Sequence, residues 1–145
     1  MRALLDVNVL IALHDPQHVH HELAVEALGR SMNGWASCPI TQNGCLRIMC
    51  QPSYSANAFS LREVAGALSV SFSSALHEFW PDEIGLLDPG RLRMDRVHGH
   101  RQLTDLYLLS LAVHRGGCFL SFDARIPLEA VRGAEPRHLR RLLAP

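Results

Sequence analysis

The 145-residue chain contains no lysine: all 14 of its basic residues are arginine, balanced by 14 acidic ones for a formal net charge of zero. A globally cationic surface is thereby excluded, so any contact with nucleic acid must come from local clusters. Arginine-rich codon usage accounts for the missing lysine more simply than selection does, but the guanidinium fork remains well suited to binding phosphate at two points. The four cysteines, Cys38, Cys45, Cys50 and Cys118, form no C-x-x-C pair and no zinc-finger spacing. They are expected to be small buried apolar residues. No stretch reaches the ~18–20 consecutive apolar residues of a membrane span. A charge as early as Asp6 interrupts any signal-peptide core, so a cytoplasmic protein is expected. With 48% of residues apolar, the chain is expected to form one globular domain over residues 1–145.

What is present is a set of three aspartates at the borders of apolar segments. Asp6 ends Ala3-Leu4-Leu5, Asp105 opens Leu106-Tyr107-Leu108-Leu109, and Asp123 closes Cys118-Phe119-Leu120-Ser121-Phe122. In open parallel sheets ligands bind outside the carboxyl ends of the strands, and acids at strand ends and helix starts can converge there. Crowded carboxylates repel one another unless a cation or a proton intervenes. Acidic all-oxygen sites suit hard ions such as Mg²⁺ or Mn²⁺. Singly, each aspartate could serve only as a strand end or helix start; jointly they favour a shared site for metal-assisted chemistry on a phosphate ester.

Strands are predicted at Arg2–Leu5, Trp35–Cys38, His77–Trp80 and Cys118–Phe122. Helices are predicted over Gln17–Arg30, from an N-capping Thr41 through Cys50, over Ser60–Leu68 with Ser60 and Glu63 at capping-box spacing, and over Leu106–His114 before Gly116-Gly117. Val7–His14 reads as an apolar continuation broken by Asn8, and Arg91–Arg101 as a basic loop with a helical turn. The alternation implies an α/β domain with a mostly parallel sheet covered on both faces. His14, His18 and His21 would share one face of a helix, but nothing completes a zinc site around them, so a titrating surface is expected there. Among α/β chemistries, a glycine-rich phosphate loop is absent after Asp6. A haloacid-dehalogenase-like phosphatase would need a second acid at position 8, where the chain has Asn8.

Four segments in order, Leu4-Leu5-Asp6-Val7-Asn8-Val9-Leu10, Thr41-Gln42-Asn43-Gly44-Cys45-Leu46-Arg47, Leu103-Thr104-Asp105-Leu106-Tyr107-Leu108-Leu109 and Ser121-Phe122-Asp123-Ala124-Arg125-Ile126, resemble the motifs of PIN-domain ribonucleases. The length and the pieces His18–His21, Phe79-Trp80-Pro81-Asp82 and Ala130–Ala134 look like the VapC toxins of bacterial toxin–antitoxin pairs. The resemblance implies a three-layer α/β/α PIN-like domain that hydrolyses RNA with Mg²⁺ or Mn²⁺ and is silenced by a VapB-type antitoxin, in a homodimer or a larger complex.

Carried over by motif, Asp6, Asp105 and Asp123 take the catalytic and metal-binding roles. Asn8 helps orient the first acid, and Ser121 stands beside the last. The ion would activate a water for in-line attack on a phosphodiester. Arg47, Arg125 and the Arg91–Arg101 cluster are candidates for gripping RNA. Gln42 occupies a second-motif position that is acidic in many members, leaving three formal negative charges and keeping open a catalytically weakened module that only binds antitoxin or RNA. A phosphatase for small substrates is a third reading. An apolar groove for the antitoxin is expected around Phe79, Trp80 and the helix Thr41–Cys50, because large exposed apolar patches mark interaction sites.

Overall fold

The computed structural model describes residues 1–29, 33–56 and 59–142. Arg30, the last residue of the predicted helix Gln17–Arg30, lies outside the described residues. Five short strands, β1 (Ala3–Leu5), β2 (Trp35–Ser37), β3 (His77–Phe79), β4 (Cys118–Ser121) and β5 (Leu139–Arg141), form one sheet in the order β3-β2-β1-β4-β5. Every pairing is parallel; Ala3 lies opposite Trp35 on one side and Cys118 on the other. The central strands are buried at every position and mostly apolar because both faces are covered, as parallel sheets require.

Side chains alternate along each strand and so feed two cores. Ala3, Leu5, Trp35, Cys118 and Leu120 pack with α1 (Val7–His14), α2 (His21–Gly29), α3 (Pro39–Met49) and α4 (Leu61–Phe72). Leu4, Ala36 and Phe119 point the other way, onto α5 (Leu103–His114) and the apolar residues Ile126, Ala130 and Val131. The result is the α/β/α layering expected, with β1 in the middle.

Several predicted boundaries move. Val7–His14 is a helix: Val9, Leu10, Ile11 and Ala12 are all buried, so no amphipathic period betrays it. The helix expected from Thr41 starts at Pro39, with Cys38 as its N-cap. Thr41 sits three residues in and closes a capping box from its buried hydroxyl, which accepts from the Cys38 N–H at 2.9 Å. Ser60 and Glu63 form the predicted box, but α4 continues to Phe72 through serines that blurred its end. His14, His18 and His21 do not share a helix face. His14 ends α1 and bonds Ser71, His18 lies in the turn, and His21 starts α2 while bonding the Ala12 carbonyl.

Candidate metal and nucleic-acid site

The first strand and the first helix meet at Asp6. Its carboxyl stands at the carboxyl end of β1 and at the start of α1, where the Val7 N–H supports it, and the residue is only 8% exposed. From the adjacent end of β4, the buried Ser121 hydroxyl donates to Asp6 Oδ2 at 2.6 Å. The same Ser121 oxygen accepts the Asp123 N–H at 3.0 Å, tying the two acids' segments together. Burial drives the Asp6 carboxyl above its ordinary value despite the Ser121 and Val7 hydrogen bonds, and the nearby Asp123 charge pushes the same way. Ser121 therefore supports Asp6 as much as it neighbours Asp123, which explains a hydroxyl at this position in the last motif.

Asp105 comes from the first turn of α5. Burial first, then the charges of Asp6 and Asp123, raise its carboxyl to about 6. Asp123 is the contrary case. Arg125 donates to it from Nε (3.2 Å to Oδ1), from Nη2 (3.2 Å to Oδ2) and from its backbone N–H (2.8 Å to Oδ1), and holds the carboxyl below the usual range. The three predicted acids thus act on one another electrostatically at one edge of the sheet, although they are 99 and 18 residues apart in sequence.

Among the described residues no three His, Cys, Asp or Glu side chains already stand as a finished set of metal ligands. The donors themselves are hard carboxylate oxygens, the kind Mg²⁺ and Mn²⁺ select. Burial first, and the neighbouring acids after it, disfavour the charged form of Asp6 and Asp105, a cost that a bound cation would offset. The donor chemistry fits a divalent ion, with Ser121 bonded to one acid and Arg125 to another.

Two clefts open beside the acids, separated by Thr104 and Asp105 at the start of α5. The first, about 420 Å³, is lined by His98, His100, Arg101, Gln102, Asp105, Asp123 and Arg125 among others. The second, about 550 Å³, lies between α1 and α3 and includes Asn8, Ile40, Asn43, Arg47, Asp82 and Thr104. Arg125 and Arg47 therefore flank the acids on opposite sides. Of the predicted arginine cluster, Arg101 lines the first cleft. Arg91 and Arg96 pair with Asp88 and Asp95, and Arg93 donates to the Glu129 carbonyl.

Gln42 is turned to the end of β2, where its amide nitrogen donates to the buried Ser37 hydroxyl at 3.0 Å; that oxygen also bonds His77 Nε2 at 2.8 Å. The helix that carries Gln42 presents Asn43 to the second cleft. Asn43, Asp82 and the two histidines were not singled out in the sequence. Asp82 follows the β3 segment as Asp6 follows β1, and the same rule of acids at strand ends would have found it.

The apolar groove expected around Phe79, Trp80 and the helix Thr41–Cys50 keeps the helix, through Met49, but not Trp80. Trp80 is 2% exposed and belongs to the core under the sheet, whereas Phe79 is 50% exposed. A hollow of about 290 Å³ is instead framed by Met49 of α3, Phe59, and Val64, Ala67 and Leu68 of α4, with His14 and Asp15 at its rim.

No family model matches the chain. It is 46% identical over 140 residues to the ribonuclease VapC44 of Mycobacterium tuberculosis, across 96% of this chain and 98% of the relative. It is 41% identical over 134 residues to ribonuclease VapC39 of the same organism, across 92% and 96%. Two solved structures share the fold. VapBC2 from Rickettsia felis, bound to a DNA fragment from its promoter, gives a TM-score of 0.58 at 16% identity over 97% of this chain and 98% of that one. The Sarcin-Ricin loop cleaving toxin VapC20 of M. tuberculosis gives 0.58 at 10% identity over 92% and 99%. With identity at this level running almost end to end, over a parallel sheet that gathers three aspartates at its carboxyl edge, the chain belongs to the VapC family of ribonucleases.

Proposed function

We propose that the chain is the toxin of a VapBC pair, a ribonuclease that hydrolyses RNA phosphodiester bonds with a divalent cation, Mg²⁺ or Mn²⁺, held by Asp6, Asp105 and Asp123. The observation that carries the metal requirement is Asp105, whose carboxyl is lifted to about 6 by burial and by two neighbouring acids. Such a group stays protonated in part near neutrality unless a cation replaces the proton. When bound, the ion would make a water nucleophilic at neutral pH and offset charge on the phosphate.

The chain's own residues do the rest. Ser121 holds Asp6 Oδ2 in place, so the first acid needs less reorganisation to act. Arg125 favours the ionised form of Asp123. A phosphate entering the first cleft competes for that guanidinium and frees Asp123 towards the other acids, while Arg101, also on the cleft wall, offers a second fork.

The relatives named as ribonucleases favour cleavage over a binding-only module. VapBC2 was solved as a toxin–antitoxin complex. By analogy we place a VapB antitoxin segment in the apolar hollow of Met49, Phe59, Val64 and Leu68. Among the described residues no helix is long and apolar enough to cross a membrane, which accords with action on RNA in the cytosol.

The test is a cleavage assay on single-stranded and structured RNA with Mg²⁺, with Mn²⁺ and after chelation, together with thermal melts at the same ion concentrations. Cleavage that needs the ion, and a melting temperature that the ion raises in wild type but not in Asp105→Asn, are expected. Undiminished cleavage in chelator would remove the metal from the reaction.

A further inference from the structure

The two clefts beside the acids differ in a way that assigns them different parts of an RNA strand. The first carries two guanidiniums and two imidazoles, from Arg101, Arg125, His98 and His100, alongside the acids. The second has aliphatic walls from Val7, Ile40 and Ile48, shares its lining with the Asp82 carboxylate, and presents three further polar side chains, the carboxamides of Asn8 and Asn43 and the guanidinium of Arg47. Among the described residues none of these three polar side chains makes a hydrogen bond or ion pair within the protein. Three other arginines are committed, Arg125 to Asp123, Arg93 to a carbonyl and Arg96 to Asp95. A concave surface that combines apolar walls with uncommitted donors and acceptors has the make-up of a recognition pocket.

We propose that the second cleft is a nucleobase pocket, in which one unpaired base of single-stranded RNA next to the cut bond packs against Ile40 and Ile48 and is read by the Asn43 carboxamide, with Arg47 available to stack on its face. Proteins read sequence in RNA chiefly on unpaired bases, through carboxamide hydrogen bonds to base edges and stacking on guanidinium planes. The phosphates follow the cleft on the other side of Asp105, where the Arg101 and Arg125 guanidiniums stand. The pocket exists because α1 and α3 touch closely: a Cβ on Gly44 would stand 2.8 Å from Val7 Cγ2, so only glycine there lets the two helices bring Asn8 and Asn43 onto one cleft. The proposal rests on the ribonuclease reading, and Asn43 is its specificity-determining residue.

The experiment measures cleavage rates of a short single-stranded RNA library, randomised at each position around the cut bond and including an abasic nucleotide at each, for wild type, Asn43→Ala and Asn43→Asp. Wild type is expected to prefer one base at one position by roughly 5- to 100-fold, the discrimination that one good two-point base contact provides. Asn43→Ala should flatten that preference while cutting the abasic substrate at the wild-type rate. Asn43→Asp keeps the acceptor and loses the amide donor, so it should redirect the preference to a different base and not merely weaken it. The same preference in Asn43→Ala, or a uniform loss on every substrate including the abasic one, overturns the pocket and leaves the ribonuclease reading standing. If Asn43→Ala instead weakens capture by the VapB partner with base preference unmoved, the cleft belongs to the antitoxin and the pocket is likewise overturned. Wild type that cuts no library member with either ion sinks the ribonuclease reading, and the pocket with it.

Discussion

Asp105 and Asp123 line the same cleft and differ in no atom, yet their surroundings drive them apart. Asp105 sits on the buried side, next to Asp6, and its carboxyl rises to about 6; Asp123 sits on the wet side, under Arg125, and its carboxyl falls. One half of the site is dry, anionic and short of positive charge. The other half carries its own guanidinium. On the proposed reading a cation would offset the charge of the first half, whereas Arg125 already offsets that of Asp123.

The hardest blow to this division is removal of the dry half. Asp6→Asn and Asp105→Asn keep shape and delete charge. Each should lower RNA cleavage by more than the roughly 10- to 100-fold that losing a supporting outer partner costs. Stability of the metal-free protein should hold or improve as repulsion is relieved. Full cleavage by either variant would falsify the three-aspartate mechanism.

Next in size is Ser121→Ala, which strips the buried Asp6 of its 2.6 Å hydrogen bond. Cleavage should drop about 10- to 100-fold, the acid limb of the pH–rate profile should move to higher pH, and Ser121→Thr should restore both. A drop in rate with no movement of the limb would mean that Ser121 acts on folding alone.

The contrast between the two aspartates also has opposite signs in a pH titration of stability. An acid whose carboxyl rises on folding binds its proton more tightly in the native state, so stability falls as pH rises from the ordinary 3.8 to about 6. For the partly buried Asp105 this loss should be on the order of 1–3 kcal/mol. Asp123 works the other way: its stabilisation is present above the ordinary carboxylate value and disappears as pH falls through its lowered one. Melts of metal-free protein between pH 4 and 7 should therefore show a decline that Asp105→Asn flattens and Mg²⁺ or Mn²⁺ reverses. A decline of equal slope in Asp105→Asn would assign it to some other group.

The smallest effect concerns the wet half. Arg101→Ala should weaken RNA binding evenly across sequences and make the slope of log affinity against log salt shallower by about 0.7, the value for one phosphate contact on a single strand. An unchanged slope would place Arg101 off the RNA path.

Most of the layering was legible because strand ends, caps and glycine stops are local signals. Asp6, Asp105 and Asp123 stood out for the same reason, each at a border that burial pattern and chain reversal mark. What stayed hidden depends on tertiary cover. Val7–His14 is buried nearly all round, so its apolar run mimics a strand as readily as a helix. Leu139–Arg141 carries two arginines because it is an edge strand, where charge is tolerated and protects the edge. Trp80 looked like an exposed anchor but fills the core beside Gly117, whose missing side chain makes room for its ring. The direction of Gln42 towards Ser37, and of Asn43 towards the cleft, follows from the phase of α3, which shifts when the helix starts at Pro39 and not after Thr41.

The central place of β1 has a consequence in time as well as in space. Its left-hand neighbour, β2, is made about thirty residues later, but its right-hand neighbour, β4, more than a hundred. Chains emerge from the ribosome N-terminus first, and distant parallel pairings are slow to form. Asp6 is thus synthesised 115 residues ahead of Ser121, on which its environment depends. Until β4 has been made, a growing chain carries the first acid without the site around it, so the cell that translates it is spared the finished site for the length of that interval.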